Sequence, residues 1–101
     1  MEVVYVVKVK KFIESLDDVL AFRGARSIDS LERYGHLLGM PVSKALGKGL
    51  FELRITGINH IRIFYSFHKG SACILHAIFK QQRSIPKREV EYARKVMNGL
   101  Q

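Results

Sequence analysis

Four side chains that can bind a phosphate or move a proton lie in three neighbouring stretches of this sequence. Arg54 is the last residue of the stretch 50–54, Arg62 lies in the stretch 61–65, and His76 and Lys80 lie in the stretch 75–80. Arginine binds phosphate through charge-assisted, often bidentate hydrogen bonds. Histidine exchanges protons near neutral pH, and lysine adds a further cation or a base. Together these residues could hold a phosphodiester and stabilise the charge that develops during its cleavage.

The three stretches read as β-strands because apolar residues alternate in them with polar or basic ones. Side chains two residues apart share a face of a strand, so Phe51, Leu53 and Ile55 indicate a core face. The four candidate residues then fall on the opposite face. We expect this second face to be the working surface.

Strand register sharpens this expectation, because only some pairings keep apolar residues on one face. A short turn at residues 57–59 predicts these pairs: Arg54 with Arg62, Ile55 with Ile61, and Thr56 with His60. A second turn at residues 69–71 predicts these: Ile63 with Ala77, Phe64 with His76, Tyr65 with Leu75, Phe67 with Cys73, and His60 with Lys80.

Two arginines directly opposite each other repel unless an anion lies between them. A phosphate could be that anion. The alternative is a structural network in which Glu52 pairs diagonally with one of the arginines. The residues alone leave both possibilities open.

RNA is the substrate that best suits this set, because its 2′-hydroxyl is an internal nucleophile. Cleavage needs a base for that hydroxyl, cations for the phosphorane and an acid for the 5′-oxygen. We therefore predict Arg54, Arg62, His76 and Lys80 as catalytic, with no metal and no cofactor. Tyr65 is a possible catalytic residue, although its position indicates core packing.

Charge and composition agree with a polyanionic partner. The 101-residue chain has a net charge of +8, and residues 51–101 hold nine Lys and Arg against three acidic residues. Lys44, Lys48, Arg83 and Lys87 are candidate RNA-binding cations, or simply solvated charges. The length predicts a single domain over residues 1–101, and the absence of membrane or signal segments predicts a cytoplasmic protein.

The remaining pattern predicts an α+β fold in the order β-α-α-β-β-β-α. We expect a strand over residues 3–9, a helix from Lys11 to Gly24 and a second from Asp29 to Gly39. Residues 41–49 read as a loop or a strand lead-in, and Pro86 as the start of a last helix. The strands would form an antiparallel meander, with the two N-terminal helices packed on the sheet and one C-terminal helix.

Three motifs resemble those of HigB-type toxins in the RelE/ParE superfamily. Residues 39–54, ending in GLFELR, look like the stretch leading into that family's GL-aromatic-ELR strand. Residues 61–65, IRIFY, are similar to its strand with an arginine and a tyrosine, and residues 75–80, LHAIFK, to its Leu-His segment. Pro86, Glu89 and Ala93 match the start of its last helix.

The resemblance covers residues 30–95 and implies a RelE-like fold. It implies metal-free cleavage of mRNA on the translating ribosome, and neutralisation by an antitoxin, commonly a helix-turn-helix protein. By matched position it implies roles for Arg54, Arg62, His76 and Lys80. Two positions depart from the family pattern: Ile78 replaces Phe, and Gln81 replaces a second Lys, which Arg83 could compensate.

Two other functions compete with the endoribonuclease. ParE-type members of the superfamily inhibit DNA gyrase by binding, and cleave no RNA. A basic binding module without catalysis is the second alternative. The combination of His76 and Lys80 favours the nuclease, because a pure inhibitor needs no group that transfers protons.

Overall fold

The computed structural model describes residues 1–55, 58–80 and 83–100, with the backbone alone at residues 58–60. The strands are β1 (Val3–Tyr5), β2 (Ser43–Gly47), β3 (Leu50–Ile55), β4 (Ile58–His68) and β5 (Ser71–Phe79). The α-helices are α1 (Val7–Glu14), α2 (Asp18–Tyr34) and α3 (Lys87–Asn98), and a 3₁₀ turn, Gly35–Leu37, follows α2. Thr56, Gly57 and Gln81 lie outside the described residues, so the predicted Thr56–His60 pair stays a prediction. The predicted turn at residues 57–59 was wrong, because β4 begins at Ile58.

The strands form one mixed sheet in the order β1-β5-β4-β3-β2. β1 runs parallel to β5, whereas the other neighbours are antiparallel. The α+β class is confirmed, and β3, β4 and β5 do form an antiparallel meander. The first strand is not part of the meander: it adds to the edge of the sheet beside β5, parallel to it.

The predicted strand over residues 3–9 is too long. The strand ends at Tyr5 and α1 begins at Val7. Val9, Phe12, Ile13 and Leu16 recur at helical spacing, and Val9 is 2% exposed whereas Val7 is 70% exposed. Burial of this stripe outweighs the preference of valine for strands.

The two predicted helix boundaries within residues 11–39 were also wrong. Asp17 caps α2, its carboxylate accepting a hydrogen bond from the Leu20 N–H at 2.9 Å. The helix passes through Gly24 and ends at Gly35, which has a φ of 52°. Gly24 therefore lies inside one long helix, where it faces Ile55 on the sheet.

Residues 43–47 form a full strand, where the sequence indicated a loop or lead-in. Ser43 pairs with Leu53, Lys44 with Glu52 and Ala45 with Phe51. The turn to β3 contains Lys48 in the left-handed region at a φ of 53°, between two glycines that also have positive φ. The glycines allow this tight connection.

Two hydrophobic clusters lie on the two faces of the sheet. α1 and α2 cover one face, where Leu31, Leu53 and Ile74 are fully buried. α3 covers much of the other face, where Ala93 packs with Phe64 and Leu75. The face that carries Arg54, Arg62 and His76 is thus partly covered by α3 and partly accessible.

The predicted strand pairs are correct up to two irregularities in the strand pairing and incorrect beyond them. The pairs that the structure confirms are Arg54 with Arg62, Ile63 with Ala77, and Phe64 with His76. Beyond the irregularities the observed pairs are Ile55 with Ile58, Tyr65 with Ile74, and Phe67 with Ala72. The pairs of Tyr65 and Phe67 are shifted by one residue, as at a β-bulge, and the pair of Ile55 by three, so the predicted Ile55–Ile61, Tyr65–Leu75 and Phe67–Cys73 pairs were wrong. The Lys80–His60 pair stays a prediction.

The last helix was predicted well. α3 begins after Pro86, and Ala93 is fully buried with Val90 and Met97 packed around it. Of the helices in the described part of the chain, none has the length and apolar character needed to cross a membrane.

Candidate functional site

Arg54 and Arg62 lie opposite each other on β3 and β4, and the Glu52 carboxylate lies between them. One oxygen, Glu52 Oε1, is 2.6 Å from Arg62 Nε and 3.4 Å from Arg54 Nε. The Glu52 and Arg62 side chains are only 4% and 9% exposed, whereas that of Arg54 is 32% exposed. We call these three residues the Arg–Glu–Arg cluster.

The cluster matches the alternative to a bound phosphate, a structural network in which Glu52 pairs diagonally with one of the arginines. Two cations in register repel, and the carboxylate between them offsets this repulsion. Arg62 also donates a hydrogen bond from its guanidinium to the Ile61 carbonyl at 3.0 Å. Arg62 is therefore held firmly, and Arg54 is the more accessible of the two arginines.

His76 lies on the same face, in the row next to the arginine pair. Its ring stacks on Phe64, with centroids 5.7 Å apart and an angle of 17° between the planes. Its Nε2 is 3.3 Å from Glu89 Oε2 on α3, and the Tyr92 ring lies 4.6 Å away. The side chain is 13% exposed, so α3 holds and largely covers the imidazole.

Tyr65 lies on the other face of the sheet. It is 1% exposed, and its hydroxyl shares a hydrogen bond with the buried Ser43 hydroxyl. Burial raises the pKa of Tyr65 above its ordinary value, and the bond to Ser43 opposes this only in part. The thickness of the sheet thus separates Tyr65 from the Arg–Glu–Arg cluster.

The other predicted cations are more exposed. Lys80 follows the end of β5 and is half-buried. Lys44 lies opposite Glu52 on β2, so it shares the face of the cluster. Lys48, Arg83 and Lys87 are exposed, in the β2–β3 turn, after β5 and at the start of α3 respectively.

Sequence reasoning missed three residues that shape this face. Glu89 and Tyr92 contact His76, and Arg94 donates hydrogen bonds to the Leu46 and Gly47 carbonyls at 2.8 and 3.0 Å. For Glu89 the spacing was the available signal, because it lies four residues before Ala93 and residues three and four apart share a helix face. Among residues 1–55, 58–80 and 83–100, no group of three or more His, Cys, Asp or Glu side chains could hold a metal ion.

The architecture and this face of the sheet define an α+β protein of known fold. The chain is similar to the YoeB dimer from Staphylococcus aureus, with a TM-score of 0.58 and 16% sequence identity. The similarity covers 78% of this chain and 95% of that chain. At this identity the likeness shows a shared fold.

A family model is more specific. The family described as phage derived protein Gp49-like (DUF891) matches residues 11–98, most of the chain. This chain belongs to that Gp49-like family. No curated protein matches it.

Proposed function

We propose that this protein is a HigB-type toxin of the RelE/ParE superfamily, a type II toxin that cleaves mRNA on the translating ribosome. The observation that carries the proposal is the Arg54–Arg62 pair, set in register on a basic sheet face with His76 on the next strand. The YoeB-like fold and the sequence motifs support it. The proposal places the protein in the cytoplasm.

In the proposed reaction the RNA 2′-oxygen attacks the adjacent phosphorus and the bond to the 5′-oxygen breaks. A base removes the 2′-hydroxyl proton, and an acid protonates the leaving 5′-oxygen. The products are a 2′,3′-cyclic phosphate and a 5′-hydroxyl. No step requires a metal ion, because the substrate supplies the nucleophile.

Arg54 and Arg62 provide positive charge for the pentacoordinate phosphorane, and Arg54 is the better placed to contact it. His76 and Lys80 are the proposed proton-transfer groups. Because Nε2 of His76 faces Glu89, Nδ1 is the nitrogen left to exchange a proton with RNA. Tyr65 takes no part in this scheme, since its hydroxyl is buried on the other face.

Exposed cations would hold the flanking RNA. Lys44 lies next to the cluster, and Lys48, Arg83 and Lys87 extend the positive surface. Contacts of this kind bind phosphates without reading sequence. RNA affinity should therefore fall as the salt concentration rises.

The proposed protein partner is a cognate antitoxin, of the helix-turn-helix type. The family resemblance supports this partner. Val19 and Phe22 on α2, which are 63% and 64% exposed, are apolar side chains of the kind that a protein partner covers.

One observation favours a second candidate, a binding protein without catalysis, such as a ParE-like gyrase inhibitor. Glu52 already neutralises part of the arginine charge, and α3 covers most of His76. A protein that only binds its target would not need His76 to be more accessible than it is here. The alternative is therefore tested together with the nuclease.

Controlled expression of the chain in a bacterial host separates the two. The nuclease predicts new mRNA 5′ ends within minutes, intact chromosomal DNA, and loss of the cleavage in the His76→Ala variant. Double-strand DNA breaks with unchanged mRNA would instead support gyrase inhibition and overturn the proposal.

A further inference from the structure

Glu52 occupies the position in which a phosphate would meet both arginines. Its Oε1 contacts Arg62 Nε at 2.6 Å and Arg54 Nε at 3.4 Å, and the residue is 3% exposed. Carboxylate and phosphate oxygens compete for the same guanidinium donors. Any RNA phosphate that approaches this pair therefore meets a bound anion that belongs to the protein.

We infer that Glu52 is an internal competitor for the RNA phosphate, and that RNA binding exchanges the Arg54–Glu52 contact for an Arg54–phosphate contact. This inference rests on the proposed function. Glu52 itself does not touch RNA: it is a positioning residue that acts through the two arginines.

The two contacts differ in a way that selects Arg54 for the exchange. The Arg62–Glu52 contact is shorter and nearly excluded from solvent, so breaking it would leave a buried carboxylate without its closest cation. The Arg54 contact is longer, and Arg54 is 32% exposed. A partly exposed ion pair is worth little and exchanges at small cost.

This arrangement explains how the arginines can face each other without RNA. In the free protein Glu52 offsets their repulsion and keeps both guanidinium groups on this part of the sheet. The cost is affinity, because the phosphate must compete with a carboxylate already in place. Removing that charge should therefore strengthen RNA binding, whereas loss of a merely structural residue would weaken it.

The Glu52→Gln variant tests the inference through the affinity for RNA. The probe is an RNA oligonucleotide with 2′-deoxy substitutions, which cannot be cleaved, and the readout is fluorescence anisotropy over a range of salt concentrations. We expect Glu52→Gln to bind about fivefold tighter at low salt. The slope of log affinity against log salt should stay that of the wild type, because Arg54 contacts the phosphate in both proteins and the number of phosphate contacts is unchanged.

Asp29→Asn is the matched control. It removes the same charge from an exposed ion pair with Arg33 on α2, at 3.3 Å. We expect it to bind the RNA as tightly as the wild type. Equal affinities of Glu52→Gln and Asp29→Asn for the RNA, or weaker RNA binding by folded Glu52→Gln, would overturn the inference.

A second variant keeps the test decisive if Glu52→Gln does not fold. Arg54→Gln should fold, because Arg54 is partly exposed, and should flatten the wild-type salt slope by about 0.7. An unchanged slope would overturn the inference alone. No binding of the RNA by the folded wild type would overturn the inference, whereas the proposed function fails only if the protein also cleaves no mRNA on translating ribosomes.

Discussion

Arg54 and Arg62 share one carboxylate oxygen, that of Glu52, but are buried to different extents. Because of this difference, we expect Arg62 to contribute mainly to the stability of the fold and Arg54 mainly to the binding of substrate. Arg62 is enclosed and belongs to the structure of the sheet. Arg54 is partly exposed to solvent, so it is the arginine that a ligand can contact.

We therefore expect Arg62→Ala to destabilise the protein far more than Arg54→Ala. Loss of Arg62 leaves Glu52 buried without its closest cation, which should cost about 3 kcal/mol of unfolding free energy. Loss of the partly exposed Arg54 should cost about 1 kcal/mol or less. Urea denaturation of the two variants measures both, and equal losses would contradict the assignment.

Gly24 gives a prediction of the opposite sign. A glycine inside a helix costs about 0.5–1 kcal/mol relative to alanine. A Cβ at this position would lie 3.7 Å from Ile55 Cδ1, an ordinary contact. Gly24→Ala should therefore raise the melting temperature by about 3–6 °C.

Gly70→Ala is the matched control for Gly24→Ala. Gly70 has a φ of 81°, which alanine adopts only with strain, so this variant should melt at a lower temperature than the wild type. A lower melting temperature for Gly24→Ala would show that the helix and sheet pack too closely there for a methyl group.

Tyr65→Phe tests the separation of Tyr65 from the site. The variant should lose about 1 kcal/mol of stability, because the buried Ser43 hydroxyl loses its partner. RNA cleavage should be unchanged. If folded Tyr65→Phe lost most of its RNA cleavage, Tyr65 would have to be counted among the catalytic residues.

The pH dependence of stability gives a second reading of Tyr65. Its pKa in the folded protein is raised above the ordinary value of 10.0, so the neutral phenol is favoured by folding. The associated stability is present below pH about 10 and is lost as the pH rises through the raised pKa. The wild type should lose more stability than Tyr65→Phe when both are titrated above pH about 10.

Glu89 should position His76 for proton transfer. Glu89→Gln keeps the shape of the side chain and removes the charge that faces Nε2. We expect kcat for RNA cleavage to fall about tenfold with little change in KM, because a positioned proton-transfer group contributes about 10²–10⁴-fold and part of this depends on its orientation. Glu91→Gln, on the exposed side of the same helix, is the control and should cleave like the wild type.

The pairing of Arg54 with Arg62 was predictable from sequence, because the alternation of apolar and polar residues restricts the register, although β4 begins at Ile58 and the turn is not at residues 57–59. The bulges were not, since nothing in the alternation shows where a strand carries an extra residue. Residues 7–9 form a helix despite their β-branched side chains, because only the packed fold shows which valines are buried. The cover of α3 over His76 could have been expected from Glu89 and Ala93, four residues apart, once the helix was placed on the sheet.

The central claim is RNA cleavage through attack by the 2′-hydroxyl, and the end groups of the product test it most directly. Purified protein is incubated with translating ribosomes and mRNA, and the cleaved ends are analysed. The account predicts a 2′,3′-cyclic phosphate and a 5′-hydroxyl, at a rate that falls strongly in His76→Ala. A 3′-hydroxyl with a 5′-phosphate, or no cleavage by the folded wild type, would contradict it.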